Sequence, residues 1–459
     1  MHRSVLLLVS ALSVGVFPSC GGGDGLGYPA PQGEPVQLTV IGVDGMEWSV
    51  AEALMEAGEM PNLKRLVDDG VGGVLASEVP TFSPVLWTTI ATGRSPREHG
   101  VLFFSEIDTR TGQPKRNGLP YTSEMRRVPA VWNLVGDAGL SPLVVGWWVS
   151  WPAEPVRRGR IVASYAAQAQ GAILWKSGVW AEGLPELTWP QGLIDEIRPI
   201  LAEGAPDGPI AAEYVDRFGL CPPSWKRAHE REALFRLAYA GDRTHERIFV
   251  KLAGEEPADL QMVYFGLTDV AGHFWWKYHE PEAYRYPIPE EQVAFFHDHV
   301  RKAYRTVDDW IGEVLEVLPE DHVVMVIADH GMKAYNVDKP NHPQSGGHEK
   351  GEPGVFVLSG SGVRKQGLLP ANRRRLGDLY DVAPTILDLL GLPACQEMSG
   401  RSLRGLMTEE WRSAHPERPR VATPEFRPPQ PARVPIGNAN EVFMQSFTAL
   451  GYVGGETEE

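Results

Sequence analysis

Short apolar runs alternate with amphipathic segments along much of the chain, and this alternation predicts strands separated by helices. The runs VQLTVIGV, VGGVLAS, DLQMVYFGLT, HVVMVIAD and GVFVLSG are typical of buried strands. MPNLKRLVDDG predicts a helix that ends at Gly70, and DLYDVAPTILDLLG predicts one closed by Gly391. Longer helical patterns cover roughly 226–253 and 290–317. Strands that alternate with helices indicate an α/β fold with a parallel sheet and helices on its faces.

The two ends of the chain depart from this pattern. Residues 1–20 combine a basic start with an apolar stretch too short to span a membrane, which predicts a signal or lipoprotein peptide. Cys20, followed by GGGDG, resembles a bacterial lipoprotein processing site and would carry the lipid anchor. Ordinary signal cleavage nearby is the alternative, and both predict an exported protein, periplasmic or at the cell surface. We expect a Gly/Pro-rich tether over 21–35, a catalytic domain over 36–410 and a Pro-rich tail over 411–459.

The stretch from about 100 to 235 is less regular and rich in Trp, Pro and Gly. It predicts a cap or insertion, with some core elements around AVWNLVGDAGLSPLVVGWW. Its tryptophans could line a substrate pocket, but a buried core is the more common place for Trp.

Composition narrows the function classes. The chain has 459 residues, 43% of them hydrophobic, which is enough for a large core. A formal net charge of −16 argues against nucleic-acid binding. An anionic substrate stays possible because bound dications would dominate the local field. No cysteine lies in a ligand-like sequence cluster, so we expect no thiolate metal site. Whether Cys221 and Cys395 pair, and the oligomeric state, stay open.

Asp and His residues follow several of the predicted strands. Open α/β sheets gather functional groups at the carboxyl ends of their strands, so these residues predict one metal centre assembled from distant sequence. Carboxylate and imidazole ligands suit zinc or another borderline dication. The candidate ligands are Asp44, Asp269, His273, Asp329, His330 and His348.

Local spacing supports three parts of this set. The D-x-x-x-H spacing of Asp269 and His273 places both side chains on one side of a helical turn. Asp329 and His330 are adjacent, so we expect a sharp bend, allowed by Gly331, to bring both to one ion. His348 lies on a Gly-rich loop directly before a strand.

Ser83 is a candidate nucleophile. In PTFSPVLWTTIATG, Ser83 suits the N-cap, Pro84 the first helical position and Gly93 the C-terminal stop. A hydroxyl at the positive end of a helix is well placed to meet a phosphate. An ordinary capping serine is the alternative.

Seven segments, in order, are similar to those of the alkaline phosphatase superfamily. They are VIGVDGM, MPNLKRLVDDG, PTFSPVLWTTIATGRSPREHG, GLTDVAGH, IADHGM, GGHEKGEPGVFVLSG and DVAPTILDLLGLP. The branch they most resemble is the type I phosphodiesterase and nucleotide pyrophosphatase group, with its bacterial phosphohydrolase or phosphomutase relatives. The resemblance implies an alkaline-phosphatase-like three-layer sandwich, with a mostly parallel central sheet, helices on both faces and an inserted cap region.

The resemblance also implies two metal ions, zinc or alternatively manganese. Asp269, His273 and His348 match the ligands of one ion. Asp44, Asp329 and His330 match those of the other, with Ser83 as the metal-contacting nucleophile that forms a phosphoserine. The expected substrate is a small-molecule, lipid or sugar phosphate ester, including phosphodiester or nucleotide-type esters.

Departures from the family pattern leave the substrate open. A phosphate-binding Asn is expected on or near Phe104, and Thr81, Thr88 and Lys350 are possible substitutes. The sulfatase C/S-x-P-S-R pattern is absent, so a sulfatase is the weaker expectation. Phosphotransfer or phosphomutase chemistry competes with hydrolysis, and an inactive surface binding protein is the hypothesis without catalysis.

Overall fold

The computed structural model describes residues 27–33, 35–108, 110–111, 115, 120–167 and 186–428. The predicted signal peptide, its Cys20 anchor, part of the tether and residues 429–459 of the tail lie outside the described residues. Among the helices of the described part, none is both long and apolar enough to cross a bilayer.

Most strands coincide with the predicted apolar runs. The strands are β1 (Gln37–Val43), β2 (Gly70–Ala76), β3 (Pro142–Val145), β4 (Arg160–Val162), β5 (Thr188–Trp189), β6 (Leu260–Phe265), β7 (His322–Ile327), β8 (Lys333–Ala334), β9 (Gly346–Gly347), β10 (Gly354–Gly360), β11 (Gly367–Leu368) and β12 (Arg375–Asp378).

Helices fill the intervals between the strands. They are α1 (Trp48–Glu56), α2 (Pro61–Asp68), α3 (Ser83–Thr92), α4 (Pro96–His99), α5 (Val131–Asp137), α6 (Leu193–Glu203), α7 (Pro209–Phe218), α8 (Lys226–Glu255), α9 (Leu267–His279), α10 (Glu290–Phe296), α11 (His299–Glu316), α12 (Val382–Leu389) and α13 (Glu409–Ala414). The single helix predicted over 290–317 is therefore two helices, α10 and α11, which meet at His297 and Asp298.

One large sheet has the order β11-β2-β10-β7-β1-β6-β3-β4-β5, with β12 also paired to β2. The strands from β7 to β4 in this order are parallel. Strand β10 is antiparallel to both of its neighbours. No helix lies between β7 and β10 in the fully described residues 328–353, so the chain lacks the crossover that a parallel pairing needs. The mostly parallel α/β sheet is confirmed, with β10 as its antiparallel exception.

Helices cover both faces of this sheet. Along β1, Leu38 and Val40 pack into one hydrophobic cluster, while Ile41 and Val43 face the other. The first cluster includes residues of α3, α5 and α12, and the second includes residues of α1, α2, α8, α9 and α11. A sheet buried on both faces reads as continuous apolar runs, as seen in the sequence. The arrangement is the expected three-layer sandwich.

Part of the predicted cap belongs to the central sheet. Strands β3, β4 and β5 extend it beyond β6, while residues 168–185 lie outside the described part. The tryptophans that could have lined a pocket are instead buried wherever they are described in this stretch, except for half-buried Trp189 and Trp225. Trp147, Trp148 and Trp151 are core residues, as are Trp275 and Trp276 of α9.

Two observations bear on the predicted domain limits. Tyr28, inside the predicted tether, packs into the core. Helix α13 crosses the predicted boundary between 410 and 411, and its Trp411 is buried. The extended part of the tail therefore starts after α13.

Candidate active site

The sheet order brings the candidate ligands to one edge. Strand β1 lies between β7 and β6 and is parallel to both. Asp44 directly follows β1, Asp329 lies two residues after β7, and Asp269 lies in the first turn of α9 after β6. Because the carboxyl ends of these three neighbouring strands meet, their acidic residues converge as predicted.

Asp269, His273 and His348 form the first ligand set. Nε2 of His273 lies 3.2 Å from Oδ1 of Asp269 and 3.2 Å from Nε2 of His348. Nε2 of His348 lies 3.7 Å from the same Asp269 oxygen. Ligand atoms from the three residues all lie within 4.8 Å of one another, and all three residues are buried.

Asp44, Asp329 and His330 form the second set, also buried and within 4.8 Å. Nε2 of His330 lies 3.3 Å from Oδ1 of Asp44 and 3.5 Å from Oδ2 of Asp329. The rings of His330 and His348 stack with their centroids 3.5 Å apart, so the two sets are in direct contact.

Two of the three imidazoles are held by backbone carbonyls. Nδ1 of His273 and of His330 lie 2.9 and 3.0 Å from the carbonyl oxygens of Gly346 and Gly331. A carbonyl only accepts, so we infer that Nδ1 carries a hydrogen and that Nε2 is the nitrogen directed at the carboxylates, where a bound cation would replace its proton. Bonds of this kind fix the tautomer and orientation of metal-binding histidines.

Asp44 is held in a similar way. Its Oδ2 accepts hydrogen bonds from Trp87 Nε1 at 2.9 Å and from the Tyr264 hydroxyl at 2.6 Å. These bonds leave Oδ1 facing His330.

Several buried atoms of the site lack a hydrogen-bond partner among the described residues. They are Oδ1 of Asp44, Oδ2 of Asp329, Nε2 of His330 and Oγ of Ser83. An unsatisfied buried polar group costs about 1–3 kcal/mol, so a concentration of them needs a reason. Carboxylate oxygens and imidazole nitrogens that face one another at these distances fit two borderline dications.

The charges of the side chains support the same fit. Burial disfavours a proton on His330, yet Asp329 and Asp44 outweigh burial and raise the pKa of His330 to about 10. Burial, and then Asp44, raise the pKa of Asp329 well above its usual range. The shift of His330 is caused by the negative charge of the neighbouring carboxylates, and such charge favours a bound cation.

Ser83 is the first residue of α3, and the cap position belongs to Phe82. The predicted N-cap position of Ser83 is therefore wrong by one residue. Its Oγ makes no capping bond and is buried at the helix start without a partner among the described residues. The predicted stop is confirmed, because Gly93 ends α3 with φ of 64°.

Two glycines allow close approaches. Gly45 has φ of 69°, and a Cβ there would lie 2.9 Å from Cα of Asp269. At Gly331, a Cβ would lie 2.9 Å from the backbone carbonyl oxygen of Pro353 and 2.2 Å from Oε2 of Glu47. Gly331 does not have a positive φ, so lack of space is the reason for glycine there, and the predicted need for unusual backbone freedom is wrong.

Residues 38–351 match the family described as type I phosphodiesterase / nucleotide pyrophosphatase. The chain belongs to this family. Family membership confirms the predicted superfamily and supports phosphoryl-transfer chemistry of the phosphoesterase type.

Individual relatives add partial similarity. A segment of 103 residues is 41% identical to the 2,3-bisphosphoglycerate-independent phosphoglycerate mutase of Desulforudis audaxviator, covering 22% of this chain and 19% of the mutase. The chain thus matches about a fifth of that enzyme's length. Human ectonucleotide pyrophosphatase / phosphodiesterase 5 is 12% identical, with a TM-score of 0.46, over 81% of this chain and all of that one. Phosphonoacetate hydrolase of Sinorhizobium meliloti 1021 is 20% identical, with a TM-score of 0.37, over 67% and 58%.

The residues proposed to replace the family's phosphate-binding Asn have other contacts. Thr81 Oγ1 donates to the carbonyl oxygen of His348 at 3.1 Å, and Thr88 Oγ1 donates to that of Pro84 at 2.6 Å. Each hydroxyl has one hydrogen, so neither has one left for a phosphate oxygen. Lys350 is exposed, and its substrate-binding role stays a prediction.

Phe104 is part of an aromatic wall beside Ser83. It is buried and packs edge-on against Phe82, Phe103 and Trp148, with ring centroids 5.6–6.2 Å apart. In this family member, the position of the expected Asn is therefore apolar.

Sequence reasoning missed the supporting residues Trp87, Tyr264 and Asp242. Asp242 lies on α8 and accepts from the backbone N–H groups of Gly266 and Leu267, both at 2.7 Å, where α9 begins. Burial raises the pKa of Asp242 to about 8 despite these two bonds. The one sequence feature that could have pointed to Asp242 is that it is an acidic residue on the apolar face of a predicted helix.

One expectation about cysteine is wrong in its premise. The sequence placed no cysteine in a ligand-like cluster, but Cys221 lies close to His229 and Glu232. The absence of a thiolate metal site, which was inferred from that premise, is untested. The loop before α8 folds back onto its first turns, which linear spacing does not reveal.

Proposed function

We propose that the protein is an exported two-metal phosphoesterase that hydrolyses phosphate esters through a phosphoserine on Ser83. One observation carries the proposal: α3 and its preceding loop contact both ligand sets on either side of Ser83. Thr81, two residues before it, binds His348 of the first set. Trp87, four residues after it, binds Asp44 of the second set. These two contacts support a position of Ser83 close to both sets.

The chemistry follows from this placement. Ser83 Oγ forms a bond to phosphorus, the bond from phosphorus to the ester oxygen breaks, and the alcohol leaves with a proton. Water then attacks the phosphoserine, releasing phosphate or a phosphate monoester and restoring the hydroxyl. The positive end of the α3 dipole favours the anionic phosphoryl group. The backbone N–H groups of Val85 and Leu86 are bonded to the carbonyl oxygen of Phe82, so the dipole rather than a set of free donors supplies this effect.

Two dications held by the two ligand sets would stabilise charge on the phosphoryl oxygens as Lewis acids. The three imidazoles and three carboxylates favour zinc, with manganese as the alternative. His273 and His330 keep Nε2 directed at the cluster, and Trp87 and Tyr264 keep Oδ1 of Asp44 directed at it.

The aromatic wall bears on substrate choice. Phe82 and Phe103 are only half-buried, so rings beside Ser83 are able to contact an apolar group or sugar. This supports a small-molecule, lipid or sugar phosphate ester as substrate.

The decisive experiment assays purified, metal-loaded protein with aryl phosphate monoesters and diesters. Ser83→Ala should abolish turnover while keeping bound metal, and Asp329→Ala should lose both turnover and metal. Ser49→Ala changes an exposed serine and should retain activity. Unchanged turnover in Ser83→Ala would rule out the phosphoserine. Adding an alcohol acceptor and analysing the products separates hydrolysis from phosphotransfer.

Export and anchoring rest on the N-terminal sequence. We expect mature protein in the membrane fraction, with an N-terminal mass that includes lipid on Cys20. Cys20→Ala should move it to the soluble fraction or block processing. An unmodified, soluble mature protein would indicate ordinary signal cleavage.

A further inference from the structure

A second group of ligand types lies apart from the two sets of the candidate active site. Cys221 is in the loop between α7 and α8, and His229 and Glu232 are on the first turns of α8. Nδ1 of His229 lies 3.9 Å from Sγ of Cys221 and 3.8 Å from Oε2 of Glu232. One ligand atom from each residue lies within 4.8 Å of the others.

Glu232 is the residue that calls for a cation. Its side chain is 1% exposed, yet it is a carboxylate. Oε2 accepts a hydrogen bond from the backbone N–H of Cys221 at 3.0 Å. Oε1 is buried and has no hydrogen-bond partner in the part of the chain that the structure describes. Buried acidic side chains are rare unless they are paired or bind a metal.

The geometry argues against a nucleophilic cysteine. In a thiol–imidazole–carboxylate relay, the thiol and the carboxylate contact different ring nitrogens. Here both approach the same nitrogen, Nδ1 of His229. Cys221 is also 2% exposed, which prevents access by a substrate. Three donors converging on one point are instead the pattern of a metal site.

We propose that Cys221, His229 and Glu232 bind one zinc ion that is separate from the catalytic pair. Thiolate and imidazole ligands exclude magnesium and calcium and suit zinc. Tetrahedral zinc places its S, N and O ligands roughly 3.3–3.6 Å apart. Coordination would therefore bring Nδ1 of His229 about 0.3–0.5 Å closer to Sγ of Cys221 and to Oε2 of Glu232. Coordination releases the thiol proton to solvent.

The fourth position of this ion opens towards solvent. The side chain of His229 is 45% exposed, while the other two ligands are buried. The ion would fix the loop that contains Cys221 to the start of α8. Its three ligands share no hydrogen bond or ion pair with Ser83 or either catalytic ligand set in the described part of the chain, so the ion would act by holding this loop in place.

Cobalt substitution tests the proposal, because only this site contains a thiolate. Full-length protein loaded with Co²⁺ should show a near-ultraviolet thiolate-to-cobalt charge-transfer band. The band should disappear in Cys221→Ser and in His229→Ala, the second of which changes a half-exposed side chain and should fold normally. Native His229→Ala should contain one zinc ion fewer per chain than wild type by mass spectrometry.

Two controls separate this site from the others. Cys395→Ser removes the other buried thiol among the described residues and should keep the band. Asp329→Ala should keep the band while total bound cobalt falls. The absence of a band in wild type, its survival in His229→Ala or its loss in Asp329→Ala would each overturn the proposal. None of these outcomes depends on phosphoesterase activity.

Discussion

Thr81 fixes both the position and the tautomer of His348. Its hydroxyl donates to the carbonyl oxygen of His348 at 3.1 Å and lies 2.8 Å from Nδ1 of the same residue. Because the single hydroxyl hydrogen is donated to the carbonyl oxygen, we infer that Nδ1–H donates to Oγ1 and that Nε2 carries the lone pair. Thr81 is thus a positioning residue for the first ligand set.

Thr81→Val should weaken metal binding by this set. It keeps the shape of the side chain but removes both hydrogen bonds to His348. Loss of such an outer contact typically lowers metal affinity by about 10–100-fold. Titration against a competing chelator measures the affinity, and Thr81→Ser should restore it. Equal affinities for the Val variant and wild type would contradict the role given to Thr81.

Tyr264→Phe should weaken the second ligand set. Burial disfavours the Asp44 carboxylate, but His330, and after it the Tyr264 hydroxyl, stabilise the carboxylate and lower the pKa of Asp44. Without the hydroxyl the pKa of Asp44 rises, so protons compete with metal up to a higher pH. The pH midpoint of metal binding should increase, with affinity about 10-fold lower at neutral pH.

Trp147→Phe is the matched control for this prediction. Trp147 Nε1 donates to the carbonyl oxygen of Trp87 at 3.3 Å and has no hydrogen bond to Asp44. The substitution should leave the pH midpoint of metal binding unchanged. A midpoint that moved equally in both variants would point to general loosening of the aromatic core.

Phe104→Asn should destabilise the fold. The ring is buried, and replacing a buried Phe with a small residue lowers the free energy of unfolding by about 3–5 kcal/mol. Burial of the polar Asn amide lowers it further. Urea unfolding measures the loss, and Phe103→Asn, at a half-buried position, should cost less. A stable Asn variant with increased nucleotide hydrolysis would show that position 104 serves phosphate recognition.

Acid should destabilise the protein partly through His99. Burial, and then Arg126, lower the pKa of His99 from 6.5 to about 3. Nδ1 of the neutral ring accepts a hydrogen bond from the backbone N–H of Val101. Protonation of Nδ1 would therefore break this bond. Between a pH of about 3 and 6.5, the unfolded chain therefore binds up to one more proton than the folded chain. The free energy of unfolding decreases as the pH is lowered through that window.

His99→Gln should remove this contribution. The free energy of unfolding should depend on pH less steeply than in wild type, by up to one proton over that window. Comparing the two proteins is essential, because Asp242, whose pKa is about 8, has the opposite effect in both. Identical slopes would mean that His99 is not buried in its neutral form.

The positions of the metal-ligand candidates were largely predictable from the sequence. Asp44 and Asp329 follow apolar runs that can only be buried strands, and the carboxyl ends of adjacent parallel strands meet. Asp269 and His273 share a helix face through their spacing alone. Whether these residues bind metal, and which metal, stays a prediction.

The contacts that hold the ligands were not predictable. A buried Thr or Trp has many potential partners, and Trp87 finds Asp44 only because α3 packs against the end of β1. The antiparallel direction of β10 was also not predicted, because an apolar run does not show which way a strand runs in the sheet. A connection without a helix between β7 and β10 was the available sign.

The close approach at Gly45 has a consequence for the whole centre. Asp44 belongs to one ligand set and Asp269 to the other, and the backbone between them has room for a hydrogen atom but not for a methyl group. A side chain at position 45 would push α9, and with it Asp269 and His273, away from β1 and Asp44, while removing no ligand side chain. Residue 45 therefore sets the distance between the two ligand sets, and in the proposed mechanism that distance would limit the size of the group that both sets reach at once.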